Sequence, residues 1–324
     1  VILHNAGALA RARVNAPVVV AGNKSAADEV CAILAEGGKD FQLTENVMPE
    51  LNILNIDPAR ETIREVFLRK IVAAKGLKQA EKFIDSILMP TPAAVLKASE
   101  LFSRGTGSEP GIGELMVVDV GGATTDVYSL AQGDPSKAGV SLKGLKEAFA
   151  KRTVEGDLGM RYSAQALVEA AGIGTIIKKF NLNEEDLRTH IGNISNNPGL
   201  LSSDENSARI DTALGFTAVE LATERHVGRI DVVYTPFGAT YIQNGKDLTQ
   251  VDYIVGTGGV IVFHENPTEI MKGVVFDHDK PSILKPIKPR FLIDRDYIMA
   301  AVGLLAEVNP GQALRIMKKH LIEA

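Results

Sequence analysis

Asp119, Gly121, Gly122, Thr124 and Thr125 stand close together in the run Leu115-Met-Val-Val-Asp-Val-Gly-Gly-Ala-Thr-Thr-Asp-Val-Tyr-Ser129. The apolar start of that run reads as a buried strand, and it delivers Asp119 to its end, where a carboxylate can hold Mg2+ or the water shell of the ion. Gly121 and Gly122 have no Cβ, so their backbone N–H groups can come close to a phosphate, as a tight anion-binding turn requires. Thr124 and Thr125 offer hydroxyls to phosphate oxygens or to the waters of the metal. After them the chain returns as a second strand. Strand, Gly-Gly turn with flanking Asp and Thr, and strand again make a phosphate hairpin. It is not a P-loop, because no lysine comes after the glycines and no helix opens there. An ordinary Gly-Gly hairpin accounts for the turn. It does not account for a buried-type strand ending in Asp, nor for two threonines beside the turn.

Other residues carry weaker signals. Tyr253-Ile-Val-Gly-Thr-Gly-Gly-Val260 is a strand running into a glycine-rich turn, and taken alone it marks a turn or a tight packing point. Glu155 and Asp157, in the loop Val154-Glu-Gly-Asp-Leu-Gly159, either position water or a ligand from a cleft or serve as plain turn and helix-cap carboxylates. Asp126 either supports the hairpin or faces solvent. Asp277-His278-Asp279 is expected to be a solvated turn, Cys31 a core residue on the apolar side of a helix, and His226 a helix-ending charge.

The elements that must position these residues come from periodicity and punctuation. The first hundred residues read as alternating strand and helix: a helix over Val1–Arg13, a strand over Pro17–Gly22, a helix opened by Ser25 and closed at Gly37-Gly38, and a helix from Asp57-Pro58 to Gly76. A strand near Phe41–Val47 is possible, and helices are expected over Phe83–Leu88 and Pro92–Phe102. The loop Arg104–Gly113 holds four glycines and a proline and is placed as a lobe boundary. This divides the chain into 1–110 and 111–324. Beyond the boundary, strands are expected at Glu114–Val120, Asp126–Leu130, Ile230–Tyr234, Ala239–Gln243 and Asp252–Phe263. Helices are expected around Tyr162–Ala171, Asp211–Arg225, Tyr297–Glu307 and Gly311–Glu323, with Asp279–Pro289 as an extended crossing.

Composition excludes several classes. The 324 residues carry a net charge of −5, with 45% hydrophobic and 23% charged residues, ordinary for a globular chain with a substantial core. That charge disfavours a generic nucleic-acid or anionic-membrane surface. No apolar stretch is long enough to span a bilayer, and no signal peptide opens the chain. One cysteine rules out an internal disulfide framework and suits a reducing compartment, so the cytoplasm is expected.

The run Asp119-Val-Gly-Gly-Ala-Thr-Thr-Asp126 resembles the second phosphate motif of the actin, sugar-kinase and heat-shock-chaperone ATPase superfamily. The resemblance implies an α/β fold of two ribonuclease-H-like lobes that clamp ATP and Mg2+ between two phosphate hairpins. On that reading Asp119 is the metal residue and a catalytic one, with Glu155 and Asp157 as further catalytic candidates. Gly121, Gly122, Ala123, Thr124 and Thr125 hold phosphates, and Gly256, Thr257, Gly258 and Gly259 form the adenosine loop. Four further stretches, Val18–Asn23, Leu88–Val95, Arg152–Arg161 and Tyr234–Gly238, are similar to the accessory protein of methylaspartate (glutamate) mutase. That resemblance covers essentially the whole chain. It implies an ATP-dependent chaperone whose partner is a coenzyme-B12-dependent mutase with a damaged cobalamin, and neither nucleic acid nor membrane as partner. One departure is large: no Asp-Ile-Gly-Ser-Thr-like first hairpin precedes Arg104, and the chain starts without Met, so the N-terminal portion of the first lobe is expected to be missing. The alternatives are a small-molecule kinase of the same superfamily, an activator of another cobalamin enzyme, and a filament former. An iron–sulfur activator needs more cysteines than Cys31.

Overall fold

The computed structural model describes residues 89–324 apart from Phe237, together with scattered positions between 32 and 65. Two compact units divide the chain, Val1–Asp85 and Ser86–Ala324, and the second holds every described element. The expected elements before Ser86, and Cys31, lie outside the described residues, except that positions 32 and 36 and positions 57, 58, 61, 62 and 65 are helical as expected.

Helix α1 (Thr91–Arg104) opens on Pro92 and closes at Gly105, whose φ is +77°. Its missing Cβ allows the positive φ that ends a helix. Although α1 precedes the glycine-rich loop, it packs against elements on the far side of that loop. Val95, Ala98 and Phe102 share a core with Leu115, Val117, Tyr128 and Val302. The loop itself folds back, with Ile112 and Gly113 donating their N–H groups to the carbonyls of Phe102 and Ser103 at 2.9 and 3.0 Å. The glycines that read as a boundary thus make a tight return inside the second unit.

Strands β1 (Leu115–Val120) and β2 (Thr125–Leu130) form the expected hairpin. After the short β3 (Val140–Leu142) comes β4 (Ala150–Glu155), antiparallel to β2. A helical segment comes next: α2 (Ala164–Ala171), α3 (Ile173–Phe180), α4 (Glu184–Asn196) and the 22-residue α5 (Glu205–His226). Asp204 and Ser207 close a capping box at the start of α5, satisfying orphan amides there. Then comes the hairpin β5 (Arg229–Thr235) and β6 (Gly238–Asn244), with β3 alongside β6 in a three-stranded sheet. The remaining elements are β7 (Tyr253–Thr257), α6 (Gly259–Val262), α7 (Pro267–Met271), β8 (Arg290–Asp294), α8 (Met299–Val308), α9 (Pro310–His320) and β9 (Leu321–Glu323).

The main sheet runs in the order β4-β2-β1-β7-β8-β9. On one side of β1 the pairings are antiparallel; on the other, β7 and β8 are parallel to it. β1 is central and apolar on both faces, as a strand covered on both sides must be. Met116, Val118 and Val120 face a core built with α2, α4 and α5, while Leu115 and Val117 face α1, α8 and α9.

Two expected elements change character. The strand expected over Asp252–Phe263 stops at Thr257, because Gly258 takes φ +89° and the chain turns into α6. The last helix ends at His320, and Leu321–Glu323 pairs with β8 instead. None of the helices among the described residues is long and apolar enough to cross a membrane.

Candidate functional site

Asp119 lies opposite Asp126 of β2 and Thr257 of β7, and Thr257 Oγ1 donates to Asp294 Oδ2 at 2.9 Å. Residues level with one another on adjacent strands share a face. The row Asp126–Asp119–Thr257–Asp294 therefore continues the Leu115–Val117 face past the end of its apolar core. Its three carboxylates have different fates. Asp126 is 6% exposed and accepts from Arg152 Nη2 at 2.6 Å, Arg152 Nε at 2.8 Å and Thr124 Oγ1 at 3.1 Å. It supports the hairpin. Asp294 also accepts the N–H groups of Ile298 and Met299 at 2.8 and 3.1 Å, holding the turn into α8.

Asp119 has neither a hydrogen-bond donor nor an ion-pair partner among the described residues. Burial, then the charges of Asp126 and Asp294, push its carboxyl up from 3.8 to about 6, with Arg152 opposing them. Near neutral pH it ionises at a cost that a bound cation would offset. No cluster of three ligating side chains exists among the described residues, so a cation here would take one carboxylate from the protein and its other ligands from water and phosphate. That is the coordination Mg2+ favours.

The turn beside Asp119 is gripped from one side only. Gly121 N–H donates to Thr124 O at 2.9 Å, and the carbonyls of Gly121 and Gly122 accept from Met160, Arg161 and Tyr162 at 3.0, 2.8 and 2.9 Å. Ser163 Oγ donates to the carbonyl of Ala123 at 2.8 Å. Gly159 packs so closely that a Cβ there would sit 2.2 Å from Ala123 C. The carbonyls are thus satisfied. The amides of Gly122, Ala123 and Thr124 have no acceptor among the described residues, which leaves consecutive N–H groups available to an anion. Thr124 keeps a partly open hydroxyl. Thr125 does not, being buried with Oγ1 donating to Leu158 O at 2.7 Å.

The second glycine run divides in the same way. A Cβ on Gly258 would meet Val120 O at 2.4 Å and Asp119 Oδ1 at 2.8 Å, so bare backbone is pressed against the carboxylate. Gly259 opens α6 and is partly exposed. Gly256 and Thr257 lie inside β7: Gly256 makes room for Met271 Sδ, 2.6 Å from where a Cβ would stand, and Thr257 is tied to Asp294.

Glu155 ends β4 level with Thr125. It and Asp157 are both held by Arg225 in the last turn of α5, at 2.7 Å each from Nη1. The guanidinium holds the Asp157 carboxyl below its usual range. As placed, these two are turn carboxylates neutralised by one arginine rather than free bases. The Asp277–Asp279 turn is exposed or partly so, as expected.

His226 corrects the sequence reading. It is fully buried, burial drives its pKa well below 6.5, and it is therefore neutral. The positive end group of α5 is Lys151, whose Nζ donates to His226 O at 2.7 Å.

Several site residues carry no motif that singles them out in the sequence. Asp211 on α5 accepts from Ser202 Oγ at 2.6 Å, pairs with His190 Nε2 at 3.0 Å and is held by Arg161 at 3.2 Å, and Arg161 borders Gly122. Asp294 had an available signal: it ends Phe291-Leu-Ile-Asp294 as Asp119 ends its own apolar strand.

Residues 1–321 match the family model described as MutL protein. The chain belongs to the MutL protein family. A relative in that family, Protein MutL from Clostridium tetanomorphum, is 52% identical over 322 residues, covering 99% of this chain and 70% of its own length. A chain of the PilM-PilN type IV pilus biogenesis complex is 16% identical over 90% of this chain and 73% of its own, with a TM-score of 0.26.

Proposed function

We propose that this MutL-family chain binds Mg-ATP at the Asp119 hairpin as part of an actin-like ATPase, and that it serves as the reactivating partner of a coenzyme-B12-dependent glutamate mutase. The observation that carries the nucleotide reading is Asp119 itself. It is an unpartnered, mostly buried carboxylate beside the free amides of Gly122, Ala123 and Thr124 and the bare backbone of Gly258. The sheet supports the superfamily: an antiparallel trio β4-β2-β1 continued by parallel β7 and β8 fits a ribonuclease-H-like lobe. The mutase partner is supported by the sequence runs Val18–Asn23, Leu88–Val95, Arg152–Arg161 and Tyr234–Gly238, and it is compatible with the family match.

Asp119 would hold Mg2+ through its oxygens or bound water, and the ion would neutralise charge on the terminal phosphates. The amides of Gly122 to Thr124 would take phosphate oxygens, and Gly258 keeps space for backbone beside the ion. Glu155 and Asp157 are engaged by Arg225, so neither stands as a free base. Nucleotide binding energy, acting on a conformational equilibrium, would then do the work on the partner.

The test mixes the protein with mutase carrying inactivated cofactor, fresh adenosylcobalamin and Mg-ATP, and follows recovery of mutase activity, with Asp119→Ala alongside. Recovery that requires ATP and is lost in the variant is the expected result. Absence of recovery while calorimetry shows Mg-ATP binding would remove the mutase from the reading. Absence of binding would remove the nucleotide.

A further inference from the structure

Tyr297 has φ +53°, in a region that bulky side chains seldom occupy. Asn181, the other such non-glycine residue among those described, sits at the end of α3, where a left-handed cap is ordinary. Tyr297 has no such excuse. It is held by Asp294 on all sides: its own N–H donates to Asp294 O at 2.9 Å, and the next two N–H groups bond the Asp294 carboxylate at 2.8 and 3.1 Å. The strain leaves the ring only partly covered, since Tyr297 remains 55% exposed. Strained backbone that is held by its surroundings and leaves its side chain mostly open is characteristic of ligand sites.

The ring has one aromatic neighbour among the described residues. Phe263, at the end of α6, is 78% exposed, and its centroid lies 6.4 Å from that of Tyr297 with the planes at 66°. Phe263 comes after the Gly258–Gly259 turn, and Tyr297 comes after Asp294 at the end of the polar row. The Tyr297 backbone is anchored to Asp294, whose carboxylate accepts from Thr257, the residue level with Asp119. Two mostly open aromatic rings therefore stand together beside a site suited to phosphate and Mg2+.

We propose that Tyr297 and Phe263 form an aromatic wall that takes the nucleoside part of the ligand, while the hairpin takes its phosphates. The inference rests on the nucleotide reading above and adds to it which residues distinguish a nucleotide from bare triphosphate. Stacking of a base on aromatic side chains is tolerant of base identity, because every base has a π face. The wall should therefore select for a nucleoside without selecting strongly among bases.

Calorimetric titration of the full chain with Mg-ATP and with Mg-tripolyphosphate separates the two contributions. Tyr297→Ala and Phe263→Ala should each weaken Mg-ATP by about 10- to 100-fold and leave Mg-tripolyphosphate unchanged. Tyr297→Phe should keep Mg-ATP affinity. Tyr297→Gly removes the ring while relieving the strained φ, so backbone strain does not account for its effect, and with its fold confirmed by circular dichroism it should match Tyr297→Ala. Wild-type affinity for Mg-ATP in the alanine and glycine variants would overturn the wall and leave the nucleotide site standing. Equal weakening of both ligands would also overturn it. A wild-type chain that binds neither ligand would overturn the nucleotide reading and the wall with it.

Discussion

Replacing Asp119 by Asn should make the protein more stable at neutral pH, even as it removes the proposed metal ligand. The carboxyl is raised from 3.8 to about 6 by burial and by its acidic neighbours. At about 1.36 kcal/mol for each tenfold change in proton affinity, that is about 3 kcal/mol against the ionised native form. An amide keeps part of the desolvation cost, so a net gain of about 2 kcal/mol is expected. The sign is fixed by linkage. A group whose folded pKa lies above its unfolded one gives stability at low pH that is lost as pH rises from 3.8 through 6. Wild type and variant should therefore be alike near pH 4, where both side chains are neutral, and diverge in favour of the variant by pH 7.5. The assay is urea unfolding monitored by circular dichroism, as the chain has no tryptophan, at both pH values with and without Mg2+. Mg2+ should recover stability in wild type by binding the native form and should do nothing for the variant. A variant less stable than wild type at pH 7.5, or a difference that does not change with pH, would refute the reasoning.

Gly258→Ala should cost about 3 kcal/mol or more, since its Cβ would stand 2.4 Å from Val120 O at a φ of +89° and both overpacking and strain apply; thermal unfolding measures it, and Mg-ATP binding should be lost as well. His226 is neutral when folded, with its pKa below 6.5, so the stability it supplies is present above pH 6.5 and lost as pH falls below it. His226→Gln should flatten the acid side of the stability profile between pH 6.5 and 5, and an unchanged slope would remove His226 as its source. Asp211→Asn weakens charge-assisted bonds from Arg161, Ser202 and His190 and should destabilise by about 2 kcal/mol in denaturant titration.

Legibility in the sequence was local. Strand β1 and its return announce themselves because an apolar run, a Gly-Gly pair and a polar return lie next to one another in the chain, and α1, α5 and the β5–β6 hairpin come from periodicity. The strand expected beyond Thr257 fails for a local reason too: one glycine at positive φ redirects an apolar stretch that suits a strand or a buried helix equally. Strand β4 gives no such signal, because its sequence Ala150-Lys-Arg-Thr-Val-Glu155 looks polar and only pairing with β2 makes it a strand. The fates of the acids are not legible at all. Asp126, Asp294 and Glu155 differ from Asp119 by partners 26, 4 and 70 residues away, and nothing near Asp119 in the chain says that it lacks one. Lys246 makes the same point. Its Asn-Gly-Lys-Asp setting reads as a surface turn, yet its ammonium is buried and donates to the carbonyls of Ala131 and Phe149 at 2.9 and 2.7 Å.

The polar row and the α1–α8–α9 core lie on one face of the same strands, and this couples the site to the reading frame of β1. Side chains alternate with a period of two, so removing one residue between Leu115 and Asp119 would turn the carboxylate toward Met116, Val118 and Val120, and a valine toward the turn. No compensating change of side chain repairs that, because each position would exchange faces at once. Substitutions along β1 can be graded by size and polarity, whereas single-residue insertions and deletions there should be uniformly inactivating. The same length changes in the mostly exposed stretch Asn197–Leu201, which lies outside the sheet, should be borne. Natural and engineered variants of this family should accordingly differ in length at their loops and keep one fixed spacing from Leu115 to Thr125.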